Sequence, residues 1–324
     1  MNKVKIKSRI TLVLIFVSHF VYCQYDTSKY EIIWTGTDSV LIEKPTKADG
    51  LRNAGDLRGA ISELQKAISE DSSDNSKYYN TACLYSLLGS KDTAFMYLDK
   101  ALKGDSGLYV VSDPDLYNLS LDKRWQKIQT NQLKKVEQRS GKKYEKPDLT
   151  LKLLNMKMKD QAYYYEMEVI RNKFGENSPK IDSIWKIKEA INEANQKEIE
   201  SIIARYGWPK ISVVGLNATS TAFLIIQHSD IKRQNKYLPL LKKACESNEA
   251  EWQDYALMKD RVLLGEGKKQ LFGSQVKYNE KEKKYELSPL ENPEEVDKRR
   301  MKMGLGPLKH YVSNWGIEFN VPQK

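Results

Sequence analysis

Two stretches of the sequence decide the fold of its first half: KADGLRNAGDLRGAISELQKAI (residues 47–68) and NTACLYSLLGSKDTAFMYLDKAL (residues 80–102). Five small or apolar residues of the first stretch recur 34 residues later in the second. The matched pairs are Ala48 with Ala82, Gly55 with Gly89, Ala60 with Ala94, Leu64 with Leu98, and Ala67 with Ala101. This period predicts helix–turn–helix units, in which alanines permit close helix contacts and glycines form the turns.

The repeat resembles the tetratricopeptide repeat, whose period is also 34 residues. The resemblance implies a stack of helical hairpins whose concave face binds a peptide or another protein. Because two hairpins cannot bury their faces alone, we expect residues 113–136 (DPDLYNLSLDKRWQKIQTNQLKKV) to form a degenerate third hairpin. In the alternative interpretation, the stack packs against the C-terminal half and binds no partner.

The N-terminus has the pattern of a secretory signal peptide. An apolar run over residues 10–17 follows four basic residues, Lys3, Lys5, Lys7 and Arg9. The run is shorter than the roughly 20 apolar residues of a membrane-spanning helix. We therefore predict cleavage after Cys23 and export to the periplasm or the extracellular space. Membrane attachment would require lipidation at Cys23 or an uncleaved signal.

Composition excludes several classes of protein. The 324 residues are 40% hydrophobic and 30% charged, which rules out collagen-like, low-complexity and polytopic membrane chains. The net charge of +10 falls to +6 without residues 1–23, which leaves 49 basic against 43 acidic residues. The basic residues alternate with acids, as in residues 277–286, which disfavours nucleic-acid binding.

Cys83 is interpreted as a small, buried apolar residue. The alternative interpretation is a disulfide bond between Cys83 and Cys245, which an oxidising compartment would permit.

The patterns together predict a mainly α protein: a short hairpin stack, then a separate α+β domain that is mostly helical with a small β-hairpin. One helical stripe covers residues 151–169, and a second helix ends near Tyr206. Polar residues before an apolar run are candidate helix N-caps, namely Asn217, Thr219 and Ser220. The β-hairpin is expected near residues 269–278 and 284–288. The predicted division is signal peptide 1–23, lead-in 24–47, hairpins 48–136, linker 137–148 and C-terminal domain 149–324.

A series of short motifs in the C-terminal half resembles a bacterial family known only as a domain of unknown function. In chain order the motifs are Gly207-Trp208-Pro209, Gln227-His228-Ser229-Asp230, Tyr255-Ala256-Leu257, Asp260-Arg261, Gln270, Gly273-Ser274-Gln275, Arg300 and Gly304-Leu305. The resemblance implies no activity. Asp160-Gln161 also fits, but residues 162–165 replace the basic residue that the resemblance leads us to expect soon afterwards.

Few residues are candidates for catalysis or ligand binding, because the HExxH, GxSxG, phosphate-loop, GxGxxG and EF-hand patterns are all absent. We accordingly predict no metal and no cofactor. His228 is a candidate general base that would need an orienting carboxylate, such as Asp260. Alternatively, Gln227 and His228 satisfy backbone groups at a helix C-terminus. Asp260 and Arg261 could bind an anionic ligand, or they could form a structural ion pair with another segment.

Gln227 and three further residues are the candidates for binding a ligand in the pocket. Gln270 and Gln275 could line it with amide groups or lie in solvent on the hairpin, and Trp208 could line it or plug the core. The leading hypothesis is an exported scaffold for protein or peptide interactions. The alternatives are a hydrolase-type enzyme, or a domain that binds a small polar ligand in a cleft around His228, Asp260, Arg261, Gln270 and Gln275.

Overall fold

The computed structural model describes residues 30–34, 39–43, 46–105, 107–175 and 178–324. The predicted signal peptide and Cys23 lie outside these residues. The described chain divides into two compact units. The repeat unit comprises residues 46–229 and 246–250, and the C-terminal unit comprises residues 30–34, 39–43, 230–245 and 251–324.

The repeat unit begins with two helical hairpins. Helices α1 (Lys47–Asn53) and α2 (Leu57–Glu70) form the first, and α3 (Asn75–Leu87) and α4 (Lys91–Ala101) form the second. Gly55 and Gly89 occupy the two turns with φ values of +77° and +75°, a conformation that glycine adopts without strain. Ala60, Ala82 and Ala94 are fully buried at the helix contacts. The helices and turns predicted from the repeat are therefore confirmed, whereas membership of the tetratricopeptide family stays a prediction.

The third hairpin is less regular than predicted. Its first arm consists of two 3-10 helices, Tyr109–Ser112 and Pro114–Leu116, and the short helix α5 (Tyr117–Ser120). The side chain of Asp113 accepts a hydrogen bond from the backbone of Asp115, and Pro114 has no N–H to donate. These two residues start a new turn where a continuous helix would run. The second arm is the regular helix α6 (Trp125–Ser140).

The predicted single helix over residues 151–169 is wrong, since two helices cover it. Helix α7 (Pro147–Gln161) ends before Tyr163, whose φ of 70° is left-handed, and α8 (Tyr164–Phe174) follows. Of the apolar stripe, α7 buries Leu154 and Met158, whereas Tyr165 and Val169 on α8 are only partly buried. The long helix α9 (Pro179–Tyr206) is confirmed.

The predicted N-caps of the next apolar helix are also wrong. Helix α10 (Ile211–Val214) ends at Gly215, which has a φ of 79° and is the N-cap of α11 (Leu216–Gln227). Asn217, Thr219 and Ser220 therefore lie inside α11, and the Thr219 hydroxyl donates to the carbonyl of Gly215. Glycine at Gly215 permits this left-handed entry, which a polar cap could not supply.

The C-terminal unit contains two small antiparallel sheets. Strands β1 (Tyr30–Trp34) and β2 (Ser39–Glu43), which sequence reasoning did not predict, pair with Tyr30 opposite Glu43. Strands β3 (Val276–Asn279) and β4 (Lys284–Leu287) form the expected hairpin, with Val276 opposite Leu287. The remaining helices are α12 (Ile231–Glu246), α13 (Trp252–Gly265), α14 (Val296–Lys302) and α15 (Leu308–Val312). The mainly α class with a small β-hairpin is confirmed.

Three further sequence predictions concern the cysteines, membrane spans and the linker. Cys83 and Cys245 are both buried free thiols, so they form no disulfide with each other. Within the described ranges, no helix is both long and apolar enough to cross a membrane. The predicted linker, residues 137–148, lies inside the repeat unit, where it covers the end of α6, residues 141–146 and the first two residues of α7. The division into domains there stays a prediction.

Candidate functional site

His228 lies at the C-terminal end of α11, directly after the buried apolar residues of that helix. Its ring nitrogen Nδ1 is 3.0 Å from Oδ1 of Asp160 on α7. The Asp160 side chain is 1% exposed and the His228 side chain is 24% exposed. A fully buried carboxylate therefore contacts an imidazole that still reaches the surface.

Asp160 lies in the last turn of α7, where several contacts hold it. Its Oδ2 accepts a hydrogen bond of 2.6 Å from the side-chain amide of Gln161. The ammonium group of Lys188, on α9, donates to the backbone carbonyls of Asp160 and Ala162 at 2.7 and 3.0 Å. A cation at this position satisfies carbonyl groups that the helix leaves unpaired at its C-terminus.

Lys188 is fully buried, although it is charged. Burial lowers the pKa of its ammonium group, while Asp160 and Glu166 act in the opposite direction. Its Nζ also lies 3.9 Å from the centre of the Tyr164 ring, a favourable cation–π contact. Burial raises the pKa of the neighbouring carboxyl group of Glu166. Lys188 therefore places a basic group next to Asp160 from another helix.

The geometry of Asp160 and His228 determines which ring nitrogen is available for chemistry. A carboxylate only accepts hydrogen bonds, so Nδ1 carries a hydrogen and donates it to Asp160. The neutral ring then has its free lone pair on Nε2. An imidazole oriented in this way is suited to accept a proton from a bound molecule and to return it later.

Asp260, the orienting carboxylate suggested from the sequence, has a different set of partners. It is fully buried on α13 in the C-terminal unit, whereas His228 belongs to the repeat unit. Its two oxygens accept from the backbone N–H groups of Leu271, Phe272 and Ser274 and from the Ser274 hydroxyl, at 2.7 to 3.2 Å. Burial raises the pKa of Asp260, and these hydrogen bonds oppose the rise. Asp260 holds the 271–274 loop, and Asp160 orients His228.

Gln270 and Gln275 join the same network. The amide nitrogen of Gln270 donates to the carbonyls of Gln275 and Ser288 at 3.0 and 2.9 Å, and its oxygen accepts from the Gln275 N–H at 2.9 Å. Gln270 is fully buried. The Gln275 side-chain amide donates to the Ser274 hydroxyl at 3.0 Å. The structure therefore brings Asp260, Gln270 and Gln275 together, and their hydrogen bonds organise the loop.

Two arginines occur among the motifs of this unit. Arg300 is 1% exposed and donates to the carbonyls of Phe272 and Gly306, both at 2.6 Å. Burial lowers the pKa of Arg300 to about 10. Arg261, on α13, is partly buried, and its charge acts on Tyr311. Arg300 thus supports the same loop as Asp260 through the Phe272 carbonyl, and it also contacts the carbonyl of Gly306.

The other candidates lie in the repeat unit. Gln227 precedes His228 on α11 and is buried. Trp208 is also buried, and its indole Nε1 has no hydrogen-bond partner in the described part of the chain. Sequence reasoning missed Asp160 and Lys188 as site residues. The only signal for Asp160 was its place in the motif order.

One group of side chains has the composition of a metal site. The ligand atoms of Cys83, Asp113 and Asp115 lie within 4.8 Å of one another. Burial raises the pKa of the Cys83 thiol well above its ordinary value, which disfavours the thiolate that metals bind. Asp113 accepts a hydrogen bond of 2.6 Å from Tyr79, and Asp115 pairs with Arg52 at 2.7 Å. These carboxylates are therefore committed to contacts within the protein.

The same contacts cover one face of α3. Tyr79, Cys83 and Ser86 are spaced by four and three residues, so they share a helix face. Tyr79 and Cys83 contact Asp113, and the side chain of Asn118 donates to the carbonyl of Ser86 at 2.9 Å. Residues of the irregular third hairpin therefore occupy this face of the stack.

Comparison with protein families identifies the C-terminal half. Residues 147–319, more than half of the chain, match the family of unknown function DUF6624. The chain belongs to the DUF6624 family. A search of curated proteins gives no match, and neither does a search of solved structures. The family match includes both Asp160 with His228 and the network around Asp260.

Proposed function

We propose that this DUF6624 protein is a hydrolase-type enzyme in which His228 is the general acid–base and Asp160 orients it. The observation that supports this proposal is the 3.0 Å contact between Nδ1 of His228 and the buried carboxylate of Asp160. The partial exposure of His228 leaves the imidazole accessible to a substrate. Lys188 and Gln161 are positioning residues, because they contact Asp160 and no reacting group.

The proposed reaction uses water as the nucleophile. Nε2 of His228 accepts a proton from water while the water oxygen bonds to an electrophilic carbon of the substrate. The imidazolium, stabilised by Asp160, then returns that proton to the departing oxygen or nitrogen as its bond to carbon breaks. The ring ends the cycle neutral, and one water molecule is consumed.

A substrate screen tests this function. The purified chain is assayed against nitrophenyl esters, acyl amides and glycosides, and any turnover is measured again with His228→Ala. We expect kcat/KM to fall about 10²–10⁴-fold, the usual contribution of a general acid–base. His310→Ala, at the other histidine of the described residues, is the matched control and retains activity. If the His228→Ala variant keeps the activity of the unaltered chain, the proposal is wrong.

A second proposed function is protein or peptide binding by the hairpin stack. The 34-residue period supports it, and so does a partly exposed cluster on α3 and α4. Tyr85 and Tyr97 stack with ring centres 5.5 Å apart, and the amide of Gln65 donates to both hydroxyls. Met96 beside them is 47% exposed. A photo-crosslinking residue at Met96 should give discrete adducts in cells, and only uncrosslinked chain would count against binding.

Export is the third element of the proposal, supported by the basic and apolar segments at the N-terminus. N-terminal sequencing of the native protein should begin at Gln24. A protein that begins at Met1 contradicts export by signal cleavage. A lipid adduct on Cys23, detected by mass spectrometry, would replace simple cleavage with membrane anchoring.

A further inference from the structure

A groove of about 510 Å³ lies between α7 and α9 in the repeat unit. Its polar lining consists of Tyr117, Lys152, Asn155, Lys159, Asn195 and Glu198. Met156 and Ile191 supply apolar surface. The volume is within the range of about 300–1,000 Å³ that is typical of small-molecule sites. None of these residues belongs to the Asp160 and His228 pair, so the groove does not depend on the proposed reaction.

Contacts behind the groove fix the orientation of its two amides. The side-chain oxygen of Asn155 accepts from the buried Gln129 at 2.7 Å, which leaves the Asn155 amide nitrogen available as a donor. The side-chain nitrogen of Asn195 donates to the Met156 carbonyl at 3.2 Å, which leaves the Asn195 oxygen available as an acceptor. Asn195 is 95% buried, with 5% of its surface exposed. A bound molecule therefore meets one donor and one acceptor held in place.

The charged residues of the groove leave one positive charge uncompensated. Lys152 pairs with Glu198 across the groove. Lys159, two helical turns further along α7, has no ion-pair partner among the described residues. The groove therefore favours a ligand with a negative charge.

We propose that this groove binds a small carboxylate that also carries an amide or hydroxyl group. The carboxylate pairs with the ammonium group of Lys159. The amide or hydroxyl accepts from Asn155 and donates to Asn195. Met156 and Ile191 contact the short apolar part of the molecule.

Calorimetry on the full chain tests the site with N-acetylglycine and lactate as probes. We expect saturable binding in the millimolar range, which corresponds to roughly 4 kcal/mol. Lys159→Met should weaken binding about tenfold, as expected for loss of a charged hydrogen bond. Lys159 is exposed, so its replacement leaves the core intact. Lys186→Met, at an exposed position of α9 outside the groove, is the matched control and should bind normally.

The neutral analogue N-acetylglycinamide separates charge recognition from amide recognition. It should bind about tenfold more weakly than N-acetylglycine. The proposal is overturned if neither probe binds at about 20 mM, a level well above the expected dissociation constant. It is equally overturned if Lys159→Met binds the probes as tightly as the unaltered chain, or if the neutral analogue binds as well as the acid.

Discussion

At the scale of single residues, the site depends on contacts that are distant in sequence. Asp160 and His228 are separated by 68 positions, and Lys188 reaches Asp160 from a third helix. Sequence reasoning could select His228, because it is one of few histidines and follows an apolar helix. It could not select the carboxylate beside it, because spacing along the chain carries no information on which of 43 acidic residues folds next to that ring.

Lys188→Met should destabilise the chain by leaving two buried carbonyl groups at the end of α7 without their donor. We expect the free energy of unfolding to fall by about 1–3 kcal/mol, measured by urea denaturation. Lys186→Met on the same helix is exposed and should change stability by less than about 0.5 kcal/mol. Equal stability of the two variants would show that the Lys188 contacts contribute nothing.

Asp260→Asn should also be destabilising, since an amide cannot accept all the hydrogen bonds of the 271–274 loop. The expected loss is about 1–3 kcal/mol at pH 7. Burial raises the pKa of Asp260, so the folded chain binds this proton more tightly than the unfolded chain. The difference in unfolding free energy between the unaltered chain and the variant should therefore grow as the pH falls from 7 towards 4. A difference that shrinks over this range contradicts the assignment.

At the scale of elements, periodicity and glycine positions account for most of what was predictable. The two hairpins and α9 follow from apolar spacing, and the turns follow from Gly55 and Gly89. The break at Tyr163 has no such signal, because its left-handed backbone is held by the surrounding fold and occurs at a residue type that rarely adopts it. The N-cap of α11 is Gly215. The nearby polar residues resemble ordinary N-caps and therefore led to the wrong prediction.

Gly55 and Gly89 provide a matched pair of substitutions at equivalent turns. An added Cβ at Gly55 would lie 2.5 Å from Cγ1 of Val169 on α8, whereas a Cβ at Gly89 would meet nothing within 4 Å. Gly89→Ala should lower the free energy of unfolding by about 1–2 kcal/mol, the strain of a left-handed residue. Gly55→Ala should lower it further in thermal or urea unfolding. Equal losses would contradict the packing of α8 on the first hairpin.

At the scale of the whole molecule, the repeats and helices α7 to α11 belong to one compact unit. The guanidinium of Arg52 pairs with Asp115 and lies 4.3 Å from the centre of the Tyr165 ring. The Tyr165 hydroxyl donates to the Arg52 carbonyl at 2.7 Å, across 113 positions of sequence. The sequence predicts the hairpin stack but not the residues that pack against it. Contacts such as that of Arg52 with Tyr165 join distant positions and leave no periodic pattern in the sequence.

Arg52→Met should therefore reduce stability on both sides of these contacts. In hydrogen exchange on the full chain, we expect amides of α1 and of α8 to lose protection together, by about 1–3 kcal/mol. Arg139→Met, at an exposed position near the end of α6, should leave both helices unchanged. Loss of protection confined to α1 would show that the first hairpin opens independently of α8.

The most direct test of the proposed chemistry is a kinetic double-mutant cycle on Asp160 and His228. The values of kcat/KM are compared for the unaltered chain, Asp160→Asn, His228→Ala and the double variant. If Asp160 acts through the imidazole, Asp160→Asn lowers activity strongly in the unaltered chain and has no further effect once His228 is alanine. An equal loss from Asp160→Asn in both backgrounds would contradict the account, because the carboxylate would then act without the histidine.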